Sequence, residues 1–220
     1  MTQHQASVLV LTLVTALAAP HINEAGLRQQ RSVNQQAARQ NTLDAEWLER
    51  VLEIKDGSVV GEIGAGDGEL TVLIARAVRP SGRVLSNELN AARVKTIGAA
   101  AAASGLTNVT PVQGASAETR FPDQCCDAIY MRDVYHHFDD PPAMNASILR
   151  SLKPGGYLGI IDFTPPPTPG SENPPGHRGE DNHHGITAAT LVQEVKAAGF
   201  EIVTAATEDR AVKLVARRPR

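Results

Sequence analysis

A chain of 220 residues, 42% hydrophobic and 20% charged, is long enough for one α/β domain and short for two. A net charge of -3 provides no basic footprint for a polyanion, so nucleic acid is not an expected partner. Aromatics make up only 4%, which leaves Val, Leu, Ile and Ala to build the core, and two adjacent cysteines, Cys125 and Cys126, do not make a disulfide framework.

In chain order, the first pattern is Ala6 to Ala19, an apolar stretch of about the length of a signal-peptide core and too short to span a bilayer comfortably. Ala16-Leu17-Ala18 fits a small-x-small cleavage site, although Met1 to Gln5 carries no Lys or Arg. The expectation is export, with a cytoplasmic chain whose first helix packs on the domain as the alternative; stable membrane insertion is not expected. Pro20 to Asn41 is Gln- and Arg-rich and reads as a solvated helix or tether. The expected division is thus 1–19 as a signal segment, 20–41 as a polar linker and 42–220 as the main domain.

From Thr42 onward Leu43, Trp47, Leu48, Val51 and Leu52 fall at helical spacing and predict one apolar stripe. Strand and helix patterns then alternate: a strand over Ser58–Ile63, a helix over Leu70–Val78, a strand over Arg83–Asn87, a helix over Ala91–Ala103 and a strand over Asn108–Gln113. The cysteine pair reads as two small side chains at the start of a buried strand over Asp127–Met131, a strained vicinal disulfide being the other option. A helix over Pro142–Leu152, a structural turn over Leu152–Gly156, a strand over Tyr157–Phe163 and a helix over Leu191–Ala198 follow. Two last strands, Glu201–Thr207 and Arg210–Arg217, are separated by little more than a turn. Such an α/β alternation predicts an open, mostly parallel sheet with helices on both faces and a C-terminal antiparallel hairpin. Ligands of such sheets bind beyond the carboxyl ends of the strands, where the strand order reverses.

The glycine run Gly64-Ala65-Gly66-Asp67-Gly68 follows an apolar strand and opens a helix. Gly64 suits a tight turn, Gly66 a close approach of backbone to ligand, and Gly68 close helix–strand packing. The order is G-x-G-x-G, not the G-x-G-x-x-G of pyrophosphate-binding loops, which disfavours a nicotinamide oxidoreductase. Glu62 and Asp67 make the loop awkward for phosphate but suitable for a cationic amino-acid ligand, and S-adenosylmethionine carries an ammonium, a sulfonium and no phosphate. Glu88 follows the second strand, 24 residues after Gly64, near the offset of about 20 expected of a carboxylate that holds ribose hydroxyls.

The run Val60 to Gly68 resembles motif I of the class I S-adenosylmethionine-dependent methyltransferases, and Glu88 sits where that family has its ribose-binding acid. Gly114 to Asp123 is similar to the family segment that packs on adenine, and Ser151 to Leu158 to its L-x-P-G-G turn into the fifth strand. The resemblance covers Thr42 to Arg217 and is nearest to the small-molecule branch that includes quinone- and arsenite-methylating enzymes. It implies a Rossmann-like fold, S-adenosylmethionine as cofactor and a small-molecule acceptor. It also implies cofactor contacts from Glu62, Gly64, Ala65, Gly66 and Gly68, from Glu88 and Leu89, from Ser116 and Ala117, and from Arg132. One departure is Ala115, where the family often has an Asp that reaches the adenine amine.

By position, the polar run Arg132 to Asp140 faces the methyl-donor pocket. Within it Asp133 could bind the cofactor's ammonium or a substrate proton donor, and Tyr135, His136 and His137 could take the acceptor's proton. Thr164 to Gly179 contains six prolines and is a candidate lid. His177, His183 and His184 with Glu180 or Asp181 lack helical i, i+4 spacing, so no metal is expected. The function expected is methyl transfer to a small molecule, the alternative being an exported, non-catalytic nucleoside-binding protein with the same fold.

Overall fold

The computed structural model describes residues 24–167, 172–179 and 184–220. The apolar segment Ala6–Ala19, and Glu180, Asp181 and His183, lie outside the described residues.

Short apolar runs between glycine and proline turns become seven strands: β1 (Val59–Ile63), β2 (Arg83–Glu88), β3 (Val109–Gln113), β4 (Cys126–Arg132), β5 (Leu152–Phe163), β6 (Glu201–Glu208) and β7 (Ala211–Arg217). They form one sheet in the order β3-β2-β1-β4-β5-β7-β6. The five strands from β3 to β5 are parallel neighbours, and β7 and β6 add to the β5 side as antiparallel strands. The order reverses between β1 and β4, which places the crevice at the ends of those two strands. Pro111 is tolerated in β3 because β3 is an edge strand.

Among the described residues five α-helices lie near the expected positions: α1 (Glu24–Val51), α2 (Glu69–Ala77), α3 (Ala91–Ala103), α4 (Pro141–Ser151) and α5 (Ala188–Ala197). Alternation along β4 separates two cores, because successive side chains of a strand point to opposite faces. Ala128 and Tyr130 pack with Leu48 and Leu52, with Leu70 and Ile74 of α2 and with Ala101 of α3. Ile129 and Met131 pack with Ile148 of α4 and with Leu191 and Val195 of α5. A fully buried Leu or Ile of this kind contributes about 1.5–3 kcal/mol. Among the described residues no helix is long and apolar enough to cross a membrane.

Several details depart from the sequence expectation. Residues 24–38 of α1 expose a polar surface, as a solvated helix would, and α1 continues through Thr42 without a break. From residue 39 onward the helix buries Asp44, Ala45 and Leu48, while Leu43, expected in the stripe, is 48% exposed. The segment Leu152–Gly156, expected as a turn, already belongs to β5, with a register shift opposite Cys126 and Ala128. Cys126 opens β4 and is buried as expected, but the two cysteines are joined as a vicinal disulfide instead of remaining free thiols. Side chains cap the helices that flank the crevice. Asn90 accepts from Ala92 N and Arg93 N at the start of α3, and Asp140 accepts from Ala143 N at the start of α4, where Pro141 needs no partner.

Candidate active site

Between β1 and α2 the chain must reverse within Gly64–Gly68. Gly64 adopts φ 67°, and a Cβ there would stand 2.5 Å from Val134 Cγ2, so the position is closed to other residues on both counts. Gly66 also has positive φ, 57°, but a Cβ there would meet nothing within 4 Å: this backbone borders open space. Gly68, expected against the sheet, instead abuts Ile97 of α3.

The tip of β2 stitches this loop in place. Gly64 N donates to Asn87 Oδ1 at 3.1 Å, Ala65 N to the Asn87 carbonyl at 2.9 Å, and Gly66 N to Glu88 Oε2 at 3.0 Å. Glu88 Oε1 accepts from Leu89 N at 2.8 Å and more weakly from Asn90 N at 3.3 Å. A carboxylate offers about four acceptor directions. A vicinal diol would therefore find one firm acceptor at Oε2 and share Oε1 with the Asn90 amide.

Gly64, Glu88, Leu89 and Ser116 line a cavity of about 330 Å³ that continues along Asp133, Val134, His137 and Phe138. Ala115 lines it too, with no side chain to reach an amine, whereas Ala117 is not part of its wall. A smaller hollow of about 140 Å³, sharing Gly64 with this cavity, is bounded by Gly66, Glu62, Glu69, Arg132 and Asp133. Three carboxylates against one guanidinium leave this hollow acidic, and Arg132 Nη1 is already engaged by Asn41 and Asp44. Glu62 is buried; desolvation raises its carboxyl to about 7, opposed by hydrogen bonds from Thr71 and Ser86. A cation placed beside it would restore the charged form.

Beyond β4 the chain enters a left-handed kink at Asp133, φ 57°, tied by Asp133 N to the Ile161 carbonyl at 2.8 Å. A non-glycine residue held there stores strain, a feature concentrated at functional sites. Asp133 lies exposed in the cavity wall; its carboxyl is raised, first by desolvation and then by the charge of Asp162. One 3-10 turn, Tyr135–His137, then splits three expected proton acceptors. Tyr135 is buried away from the cavity, its hydroxyl accepting from Asn145 Nδ2 at 2.7 Å, and burial raises it well above its ordinary value. Sequence spacing put it in the site; the turn directs it to the core.

His136 is buried behind the cavity wall. Its Nδ1 donates to Asp162 Oδ1 at 2.7 Å, and its Nε2 faces His184 Nε2 at 2.6 Å. His137 is exposed in the cavity wall and is lowered, first by burial of its ring and then by its neighbours His136 and His184. His184 is lowered for the same reasons, burial first and His136 second. The lid candidate packs here in its described part: Gly176 N donates to the Phe138 carbonyl at 3.2 Å. It is anchored by buried Arg178, whose two Nη atoms fork onto Glu194 of α5 at 2.7 and 3.1 Å.

Residues 34–205 match the family model described as methyltransferase domain. The chain belongs to this methyltransferase family. A ubiquinone/menaquinone biosynthesis C-methyltransferase of Saccharophagus degradans is 34% identical over 124 residues, 54% of this chain and 50% of that protein. The chain spans about half the length of the curated relatives it matches. Among solved structures, an S-adenosylmethionine-dependent methyltransferase from Aquifex aeolicus superposes with a TM-score of 0.68 at 20% identity, over 80% of this chain and 89% of that one. The [4+2]-cyclase SpnF superposes with 0.70 at 20% identity, over 84% and 82%. A shared fold therefore leaves the reaction to the site. The chain's family is thus that of a methyltransferase domain, and its fold is shared with an enzyme that depends on S-adenosylmethionine.

The residues of this methyltransferase fit that cofactor. The open face of Gly66, the part-occupied carboxylate of Glu88 and the acidic hollow beyond Glu62 offer a close backbone approach, a diol acceptor and a seat for an ammonium. Asn87, Asp162 and the pairing of His184 escaped sequence reasoning. The one available signal was a polar residue closing an otherwise apolar strand, as in Ser86-Asn87 and Ile160-Ile161-Asp162.

Proposed function

We propose that this methyltransferase moves a methyl group from S-adenosylmethionine to a small, flat, largely apolar acceptor that bears an acidic hydroxyl or an activated ring carbon. The single supporting observation is the 3.0 Å bond from Gly66 N to Glu88 Oε2, with Gly64 and Glu88 bordering one cavity. The cofactor, when bound, supplies a methyl on a positively charged sulfur that is already activated for displacement. Positioning then supplies most of the acceleration. Glu88, Leu89 and Ser116 hold the nucleoside end, and Glu62 and Asp133 favour the ammonium. Val134, Phe138 and Met144 give the acceptor an apolar wall, and His137 lies in reach to take its proton. The relatives named as ubiquinone/menaquinone C-methyltransferases support a ring-shaped acceptor.

Calorimetric titration with S-adenosylmethionine and its demethylated product is expected to give micromolar-range binding; folded protein that binds neither overturns the reading. Labelled-methyl transfer to a panel of quinols and phenols then tests the acceptor class. Tight donor binding without transfer to any acceptor would favour the non-catalytic alternative, for which the missing side chain at Ala115 is the motive. We also propose export on the strength of Ala6–Ala19. Mass spectrometry of the mature N-terminus tests it, an intact Met1 overturning it.

A further inference from the structure

At the margin of the donor cavity three imidazoles converge. His136 and His137 sit on the 3-10 turn after β4, and His184 arrives 48 residues beyond His136, just before α5. One ring nitrogen from each lies within 4.8 Å of the other two, and the three grade from buried (His136) through half-buried (His184) to exposed (His137). His136 is oriented from behind. Asp162, 1% exposed, accepts from His136 Nδ1 at 2.7 Å, from His136 N at 3.2 Å and from Phe163 N at 2.8 Å. Among the described residues no Lys or Arg pairs with this buried carboxylate.

In the neutral state one hydrogen bond joins His136 to His184, and it does not include His137. With Nδ1 committed to Asp162, the Nε2 of neutral His136 is an acceptor only, so a single hydrogen from His184 joins the pair. Protonating both rings instead would set two like charges at hydrogen-bond distance. One divalent ion does what neither protonation pattern can: it satisfies all three nitrogens and offsets the buried carboxylate behind them. A carboxylate that fixes the far nitrogen of a histidine is the usual support of an imidazole ligand.

We propose that His136, His137 and His184 bind a divalent transition-metal ion of the zinc class, with Asp162 orienting His136. Imidazoles without thiolate suit zinc, copper, nickel and iron, and three protein ligands leave a fourth position open. Bonds of about 2.0–2.1 Å in a tetrahedral site place the nitrogens roughly 3.3 Å apart, so His136 and His184 must separate by roughly 0.7 Å. His184 can do this, since it precedes Gly185 on the segment entering α5. Because His137 lines the cavity, the open position adjoins the acceptor space. With an ion bound, His137 is a ligand and no longer the proton acceptor; use of the open position to hold an acceptor oxygen rests on the methyl-transfer reading, and metal binding itself does not.

The test uses the full, tag-free chain stripped with a chelator, titrated with cobalt(II) alone and then with zinc(II). One equivalent of cobalt is expected to produce the visible absorption of a four- or five-coordinate site, which zinc abolishes. Asp162→Asn should weaken zinc binding about 10- to 100-fold. His184→Ala should lose the absorption, with an unchanged circular-dichroism spectrum, and His137→Ala serves as the second ligand variant. Absence of saturable binding, or binding equally strong in His184→Ala, overturns the inference. Donor titration of the same sample separates the two readings. Donor binding without metal binding sinks only the metal site, and metal binding without donor binding sinks only the methyl-transfer reading.

Discussion

The two halves of the crevice are built differently. The donor half is made by main chain: amides of Gly64, Ala65 and Gly66 bonded to Asn87 and Glu88, two tips of neighbouring parallel strands. The acceptor half is made by side chains that meet only after folding, His136 with Asp162 across 26 residues and with His184 across 48. A subsite built from turns is rigid and tolerates few residues. A subsite built from side chains can change its chemistry while the sheet stays the same, as the cyclase with this fold illustrates.

Substitutions can break or sharpen that contrast. The largest effect is expected at Gly64. Gly64→Val adds a disallowed backbone conformation and a clash with Val134, about 2–5 kcal/mol of stability in all by chemical denaturation, with donor binding lost. Adding Val134→Ala should restore part of the stability; no restoration would mean that the turn, not the contact, dominates.

Glu62 comes next. Its folded carboxyl keeps a proton up to about 7 while the unfolded one releases it near 4.5, so the folded state binds more protons in between. Stability therefore falls as pH rises from 4.5 to about 7. Glu62→Gln should remove this slope and be more stable than the parent on the order of 3 kcal/mol above pH ~7, converging with it in acid, as read from denaturation midpoints across pH. Parallel curves for both proteins would contradict the assignment.

A matched pair then tests whether the halves act separately. His137→Ala should slow methyl transfer about a hundredfold while donor affinity stays as in the parent. Glu88→Gln should weaken donor binding by roughly 1.5–3 kcal/mol, about ten- to hundredfold by calorimetry. If donor affinity followed His137 as closely as Glu88, the two-half description would fail. The smallest effect on stability belongs to Gly66→Ala, about 1–2 kcal/mol for its positive φ, since nothing crowds the added methyl. Donor affinity should fall far more than stability, because the methyl would occupy the open face.

Strand and helix positions were legible because each element carries its own period, and most ends shifted by only a residue or two, as at β1 and β7, although β5 began five residues and α5 three residues earlier than expected. Glu88 could be placed against the glycine loop from spacing, since neighbouring parallel strands of similar length bring their tips together. The 3-10 turn at Tyr135–His137 carried no such signature. Three adjacent polar aromatic residues look equivalent in sequence, and only the turn decides that Tyr135 bonds Asn145 while His137 faces the cavity. Asp162 was hidden for a similar reason: in an apolar strand one carboxylate reads as an exposed end until its partner is known.

By itself the sequence determined the order of the elements along the chain and the backbone bend with its carboxylate, both consequences of local periodicity and of glycine's freedom at positive φ. Only the tertiary structure decided the acceptor side. There the β4–β5 register sets Arg132 opposite Ile161, bringing the residues beyond them, Asp133 and Asp162, to one edge, and the path into α5 delivers His184 to the same place. Contacts across such separations depend on register and loop path, and no short window of sequence contains either.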